Sequence, residues 1–447
     1  MKMVKSLLLG GAAGLVAMTG AQAADLPVKA KPVQYVKICS LYGAGFYYIP
    51  GTDTCLKVGG FVRAEVNIEM GGSGAVPATL ALNNRNAFNQ DWRTRAGVTF
   101  DARSQTEYGT LRSYAYISAT SDESGSSNSG APAPNNNAAA SAYVRIYAPA
   151  AFIQWAGFTA GKTDTFFAFD NGFYTNTTEY WLADQGGNGV QVLAYTAQFG
   201  NGLSASISLE DAAAYRNGIF PNAYAQETWP DVVANLRVDQ AWGGAQIMGA
   251  LNNVTAADVG VLHPSDKVGW AVGAGLKFNL PMIGKGDVVQ AQVTYTEGAL
   301  RYITGNQGLG GLQTVTNNFP VTSTALGPAN DAVVTGAGAG NLDLTKGWAI
   351  TGGFEHHWNP AWKTSLWGDY GKIDYSTAAS AVLGFVSADW SLWQIGSRTV
   401  WTPVENLDLS VEVLYNEMHG ANTGVAATSA NESWVSAMLR AQRNFWP

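Results

Sequence analysis

The stretch LSASISLE, residues 203–210, decides the fold, because its apolar and polar residues alternate without a break. Successive side chains of a β-strand point to opposite faces, so this strand has one apolar face and one polar face. Sixteen segments of this kind follow the N-terminal region. No window reaches ~18 consecutive apolar residues, the length that a transmembrane helix needs. A membrane location therefore requires strands.

The connections between these segments alternate in length. The short ones are rich in Gly, Pro and Asn, whereas the long ones are polar or rich in Gly and Ala and cover residues 121–137, 166–188, 212–227 and 301–343. Long loops at one end and short turns at the other are typical of bacterial membrane barrels. The sequence thus predicts an all-β fold, a closed 16-stranded antiparallel transmembrane β-barrel. Sixteen strands leave an aqueous channel.

The N-terminus has the three parts of an export signal. Lys2 and Lys5 precede a short apolar stretch at 7–18, and Ala21-Gln22-Ala23 forms a small-residue cleavage site. Residues 1–23 are therefore expected to be a signal peptide. Removing the two lysines changes the formal net charge from −7 to −9, which argues against nucleic-acid binding.

Two cysteines occur in the chain, Cys39 and Cys55. In an exported protein they predict one disulfide, which would close a small loop within an N-terminal segment at 24–55. Two free buried thiols are the alternative. The barrel domain is expected to occupy residues 56–447.

Two runs carry a family resemblance. VKICSLYGAGFYYIPGTDTCLKVGG at 36–60 and AFIQWAGFTAGK at 151–162 resemble sequences of the alphaproteobacterial general-diffusion porins. The resemblance implies a homotrimeric, water-filled channel in the bacterial outer membrane that passes ions and small hydrophilic solutes. Its surroundings would be outer-membrane lipid and lipopolysaccharide. One departure is Pro447, which follows the aromatic pair Phe445-Trp446, whereas many outer-membrane porins end on an aromatic residue.

A channel acts through a cross-section and its charges. The segment 166–188 does not alternate and is rich in aromatic and acidic residues, so we expect it to fold into the lumen as a constriction loop. Its acids would face arginines at the polar, inward-facing positions of the first four strands. Opposite charges on the two sides would create a transverse electric field across the lumen. The predicted constriction residues are Asp170, Glu179 and Asp184 on the loop and Arg63, Arg93, Arg95, Arg112 and Arg145 on the wall.

Two other functions remain open. A substrate-selective channel, for sugars for example, would use Tyr180 and Trp181 as a stacking track. An exported β-rich binding protein or glycan hydrolase would pack its apolar faces together and dissolve without detergent. Neighbouring residues on a strand point to opposite faces, so His356 and His357 do not suit one metal ion. We expect no enzyme activity, no metal and no cofactor.

Overall fold

Sixteen antiparallel strands close into a barrel in the part of the chain that the computed structural model describes, which is residues 37–74, 89–122, 143–169, 175–176, 189–211, 213–304, 329–422 and 429–445. They are β1 Cys55–Gly74, β2 Asn89–Thr106, β3 Gly109–Asp122, β4 Tyr143–Trp155, β5 Phe158–Thr163, β6 Val190–Gly200, β7 Leu203–Asp211, β8 Asp231–Gln240, β9 Gly243–Val254, β10 Lys267–Asn279, β11 Val288–Glu297, β12 Lys346–Asn359, β13 Trp362–Asp374, β14 Trp390–Val404, β15 Leu407–Asn422 and β16 Ser429–Asn444. The predicted fold class is confirmed.

The barrel closes between its first and last strands. Each strand pairs with the next in sequence, and β16 pairs with both β15 and β1. At the seam Ala64 lies opposite Ala441 and Arg63 opposite Gln442. No sheet edge is left at this closure, as a membrane barrel requires.

In the barrel wall the apolar side chains are exposed and the polar ones are buried, which is the reverse of a water-soluble protein. On β7 the exposed fraction is 54% for Ile207 and 42% for Leu209, whereas it is 1% for Ser208 and 0% for Glu210. Exposed apolar side chains on the outside suit contact with hydrocarbon, and polar side chains inside suit a hydrated lumen. The alternation in the sequence therefore reports the outward and inward faces.

Aromatic rings form two outward-facing belts. Near the short turns Trp362 and Trp401 stack with ring centroids 5.6 Å apart, and towards the other end Trp393 packs on Tyr415 at 5.2 Å. Trp393 and Trp401 both belong to β14 and are eight residues apart, about 26 Å along the strand. With the usual tilt this gives about 20 Å along the barrel axis, close to the height of a membrane barrel's apolar band.

The long connections contain structure that the alternation does not predict. The sequence marks 301–343 as a loop, but α1 Arg301–Thr304 and the short strands Ala332–Thr335 and Asn341–Leu344 lie within it. Ala332–Thr335 also pairs with Ile219–Phe220, and α2 Thr377–Leu383 follows β13. These pieces depend on tertiary packing, which a local pattern cannot report. No helix among the described residues is long and apolar enough to cross a membrane.

These outer pieces fill one side of the lumen. Leu300 and Ile303 are buried in an apolar cluster with the inward-facing residues Ala349, Leu392 and Leu414 of β12, β14 and β15. Gly347 makes room for this contact, since a Cβ there would lie 2.5 Å from Cδ1 of Ile303. On the side of β12, β14 and β15, this part of the lumen is therefore filled by packed side chains.

The N-terminal segment lies at the short-turn end. Cys39 and Cys55 form a disulfide, which confirms the predicted pairing. A single-turn helix at Ser40–Tyr42 follows Cys39, and the short strand Tyr47–Tyr48 pairs with the start of β1. The predicted signal peptide at 1–23 lies outside the described residues.

Candidate functional site

The chain enters the lumen directly after β5. The Oγ1 of Thr165 donates a hydrogen bond to Oε2 of Glu210 at 2.7 Å, and the backbone N–H of Phe166 donates to Oε1 of the same carboxylate at 2.9 Å. On the next strand, Nδ2 of Asn235 donates to the carbonyl of Phe166 at 2.6 Å. The inward-facing residues of β7 and β8 thus hold the start of the loop against the wall.

Two phenylalanines complete this first attachment. Phe167 is 0% exposed and its ring centroid lies 4.5 Å from that of Tyr302. Phe169 occupies a recess over β10, where a Cβ on Gly275 would lie 2.3 Å from Cγ of Phe169. Nη1 of Arg237 also donates to the carbonyl of Phe169 at 2.7 Å. The missing side chain of Gly275 therefore provides the seat for the loop.

A second attachment lies on a separate part of the wall, at β15 and β16. The amide of Asn176 donates from Nδ2 to Oγ of Ser410 at 2.8 Å and accepts at Oδ1 from Nη1 of Arg440 at 2.9 Å. Its backbone N–H donates to Oε2 of Glu412 at 2.6 Å, and its carbonyl accepts from Nη2 of Arg440 at 2.7 Å. Every polar group of Asn176 is thus engaged with the wall.

Thr175 strengthens the same attachment. Its Oγ1 donates to Oε2 of Glu412 at 2.8 Å, and its carbonyl accepts from Nη1 of Arg398 at 3.0 Å. Nη2 of Arg398 reaches Glu355 on β12 at 2.6 Å, so this guanidinium joins the loop to two strands. Thr175 follows Phe169 by six positions, and an extended chain of that length spans at most about 20 Å. The described residues of the loop therefore contact two separate parts of the wall, β7–β10 and β14–β16.

Three of the predicted arginines lie together on the wall beside the second attachment. Arg63 of β1 lies directly opposite Arg95 of β2 in the strand register, and Arg93 lies opposite Glu65. Glu65 is buried and accepts from Nε of Arg93 at 2.5 Å and from Arg440. Three guanidiniums, those of Arg63, Arg93 and Arg440, therefore lie against this one carboxylate. With Arg95 beside Arg63, this part of the lumen wall has a net positive charge.

Within the described part of the chain, the positive charge of Arg95 is not neutralised by a neighbouring carboxylate. Its Nε donates to Oγ1 of Thr120 at 3.0 Å, and no carboxylate of the described residues lies within salt-bridge distance of it. Arg63 donates to Gln442 at 2.7 Å and lies 3.7 Å from Glu65. A cation that bonds only a neutral hydroxyl keeps its field directed into the lumen.

Of the other predicted residues, Arg112 does not join this cluster. Arg112 lies nearer the short-turn end, where it bonds Asp101 and Gln154. The backbone of Arg145 pairs with Thr120, but its side chain lies outside the description. The predicted loop acids Asp170, Glu179 and Asp184 lie outside the described residues, so the transverse field stays a prediction.

Arg398, Glu412 and Arg440 were missing from the predicted site. Their inward parity on β14, β15 and β16 was readable from the alternation, as the polar faces of these strands show. Asn176 had no such signal, because its partners are 222 to 264 residues away in sequence. Parity gives the direction of a side chain but not its height in the barrel.

The outer end of the lumen contains a second polar network. The carboxylate of Asp331 accepts from the backbone N–H groups of Leu300 at 2.7 Å and Asn217 at 3.0 Å and from the hydroxyl of Tyr224 at 2.8 Å. Burial raises the pKa of Asp331 to about 6. This carboxylate ties two outer connections together. Groups of three or more residues able to hold a metal ion are absent from the described residues.

Comparison with known proteins agrees with this architecture. The family model described as the porin subfamily matches residues 25–443. Porin Omp2b of Brucella abortus (strain 2308) is 35% identical over 244 residues, which are 54% of this chain and 63% of that protein. The match thus spans less than two thirds of the relative's length.

Solved structures resemble the barrel as a whole. The outer membrane channel DcaP of Acinetobacter baumannii superposes with a TM-score of 0.61 at 14% identity, covering 89% of this chain and 99% of that one. OmpF of Salmonella typhi, in complex with daunomycin, gives 0.50 at 11% identity and covers 88% and 98%. At these identities the likeness concerns the fold. The family match over nearly the whole chain goes further, and the chain belongs to the porin subfamily and is located in the bacterial outer membrane.

Proposed function

We propose that the protein forms a water-filled channel for passive diffusion of ions and small hydrophilic solutes. The observation that carries this proposal is the polar, inward-facing side of a closed barrel, on which the described residues of the loop after β5 are bonded at two places. A hydrated lumen passes solutes by size and charge, without a covalent step. The loop sets the narrowest section, and one of its sides is formed by Arg95 and by the three guanidiniums around Glu65.

The loop acids are the proposed counterpart of this basic wall. Asp170, Glu179 and Asp184 belong to the segment between the two attachments or just beyond the second one. Opposite charges across a narrow lumen order water and disfavour apolar solutes. This proposal extends the predicted transverse field to Arg63, Arg93, Arg95 and Arg440.

We also propose a homotrimer surrounded by lipid and lipopolysaccharide. The resemblance to trimeric porins supports it, as does an outward groove at the barrel seam. Small residues, Ala64 and Ala441, lie between the larger Trp92, Trp401 and Leu439 there. A second copy or a lipid chain would cover this apolar surface. Light scattering in detergent gives the mass of the assembly and tests the trimer.

The diffusion channel predicts discrete current steps when the folded protein is added to a planar bilayer. The conductance should rise in proportion to KCl concentration, because the ions move through water and do not saturate a site. Heat-unfolded protein at the same concentration is the control. Absence of steps from folded protein would reject the channel, and conductance that saturates or is blocked by one sugar would favour a substrate-selective channel.

A further inference from the structure

A second group of cations lies at the short-turn end of the lumen. It consists of Lys57 on β1, Asp101 and Arg103 on β2, and Arg112 on β3, and we name it the mouth cluster. Arg103 donates from Nε and Nη2 to Asp101 at 2.9 and 2.7 Å, and Arg112 donates from Nε and Nη2 to the same carboxylate at 3.0 Å. Two guanidiniums thus share one carboxylate, and Lys57 lies opposite Asp101 in the strand register. The three cations and the one carboxylate have a net charge of +2.

The disulfide-linked segment provides an aromatic floor for these cations. Phe46 is 4% exposed and packs in one cluster with the buried Cys39 and Cys55. The guanidinium carbon of Arg103 lies 4.9 Å from the ring centroid of Phe46, and Nζ of Lys57 lies 6.0 Å from it. Cations at these distances are attracted by the face of the ring. The disulfide therefore fixes the ring that orders two of the three cations.

The mouth cluster keeps donors available to a solute. The side chains of Arg103 and Arg112 are each 27% exposed. Asp101 occupies Nε and Nη2 of Arg103, so Nη1 is left for another acceptor. No carboxylate in the described ranges lies within salt-bridge distance of Nζ of Lys57. An ammonium and a guanidinium edge that face water are the donors that bind carboxylate and phosphate oxygens.

The mouth cluster is separate from the basic wall beside the loop. Arg95 and Arg103 both lie on the inward parity of β2 and are eight residues apart, about 26 Å along the strand. Fields of exposed charges decay over about 10 Å at 0.1 M salt, so the two groups act on a solute one after the other.

We propose that the mouth cluster is an anion-binding station at the periplasmic exit, which holds small solutes carrying several carboxylate or phosphate oxygens. The proposal rests on the diffusion channel, because a solute reaches the cluster through the lumen. The disulfide-linked segment positions Phe46 next to Arg103 and Lys57, so the folded chain itself holds these two cations in place. The short-turn end is the periplasmic side in barrels of this kind.

The test is block of single-channel current by tripolyphosphate, with citrate as a second arm that distinguishes phosphate from carboxylate recognition. The wild-type channel should show brief blocks, with a lower half-blocking concentration when the anion is added at the short-turn side. Removing two charges from the station in K57Q/R103Q should raise that concentration about tenfold. Block by only one of the two anions narrows the ligand to that class.

A matched double variant controls for the loss of charge. K285Q/R443Q removes a lysine and an arginine at the same end, but Lys285 lies in an exposed turn and Arg443 is exposed on the outward face. The half-blocking concentration of each anion should be the same for this variant as for the wild type. C39S/C55S, provided that it still conducts, should also weaken the block, because Phe46 is no longer held. Wild-type block in K57Q/R103Q, or an equal loss in the control, would overturn the station, whereas a wild-type protein without conductance would reject the channel itself.

Discussion

Releasing the constriction loop from its second attachment should raise the conductance and admit larger neutral solutes. The T175A/N176A variant loses the bonds from Asn176 to Ser410 and Arg440 and from Thr175 to Glu412. Hydrogen bonds to charged groups contribute about 1.5–3 kcal/mol each, so the attachment loses most of its side-chain stabilisation. The solute size limit is measured by liposome swelling with a series of neutral sugars.

A change at the first attachment should act in the same direction. In G275V the added side chain would occupy the recess of Phe169, where even a Cβ comes within 2.3 Å of the ring. Q198A is the control. Gln198 lies on β6 near the short turn, points into the lumen and makes no bond to the described part of the loop. An unchanged size limit in both T175A/N176A and G275V would show that this loop does not set the narrowest section.

Neutralising the two arginines of β2 should shift ion selectivity towards cations. In water the Coulomb energy between a unit charge and an ion 6 Å away is about 0.7 kcal/mol, which changes the local ion concentration roughly threefold. R93Q/R95Q removes two positive charges from the wall, so the local concentration of anions falls and that of cations rises. A higher salt concentration screens the charges and reduces this effect. The reversal potential under a KCl gradient measures the change.

The single variants separate the two contributions. R95Q is the cleaner one, because Arg95 bonds only the hydroxyl of Thr120 among the described residues, whereas Arg93 also supports the buried Glu65. R443Q removes an outward-facing charge and should leave the reversal potential unchanged. If R93Q/R95Q keeps the wild-type reversal potential, the basic wall does not face the conducting path.

The alternation predicted the barrel because it reports a local property, the face on which each side chain lies. It placed Ile207 and Leu209 outside and Arg63, Arg93 and Arg95 inside. Two cysteines in an exported chain were enough to predict the disulfide. These predictions need only neighbouring residues or a simple count.

The rest depends on contacts distant in sequence. The seat of Phe169 requires Gly275 more than a hundred residues later, and the partners of Asn176 lie on the last three strands. The alternation places Trp367 on the inward side of β13, but it does not show that the ring packs over Gly396, where a Cβ would lie 2.8 Å from its indole. A local pattern cannot report which glycine lies opposite which ring.

The most direct measurement is the accessibility of spin labels at the successive positions of residues 203–207 of β7 in a reconstituted membrane. The account predicts that oxygen relaxes the labels at Leu203, Ala205 and Ile207, whereas a water-soluble nickel complex relaxes those at Ser204 and Ser206. A profile without this alternation would contradict a wall that separates lipid from a hydrated lumen.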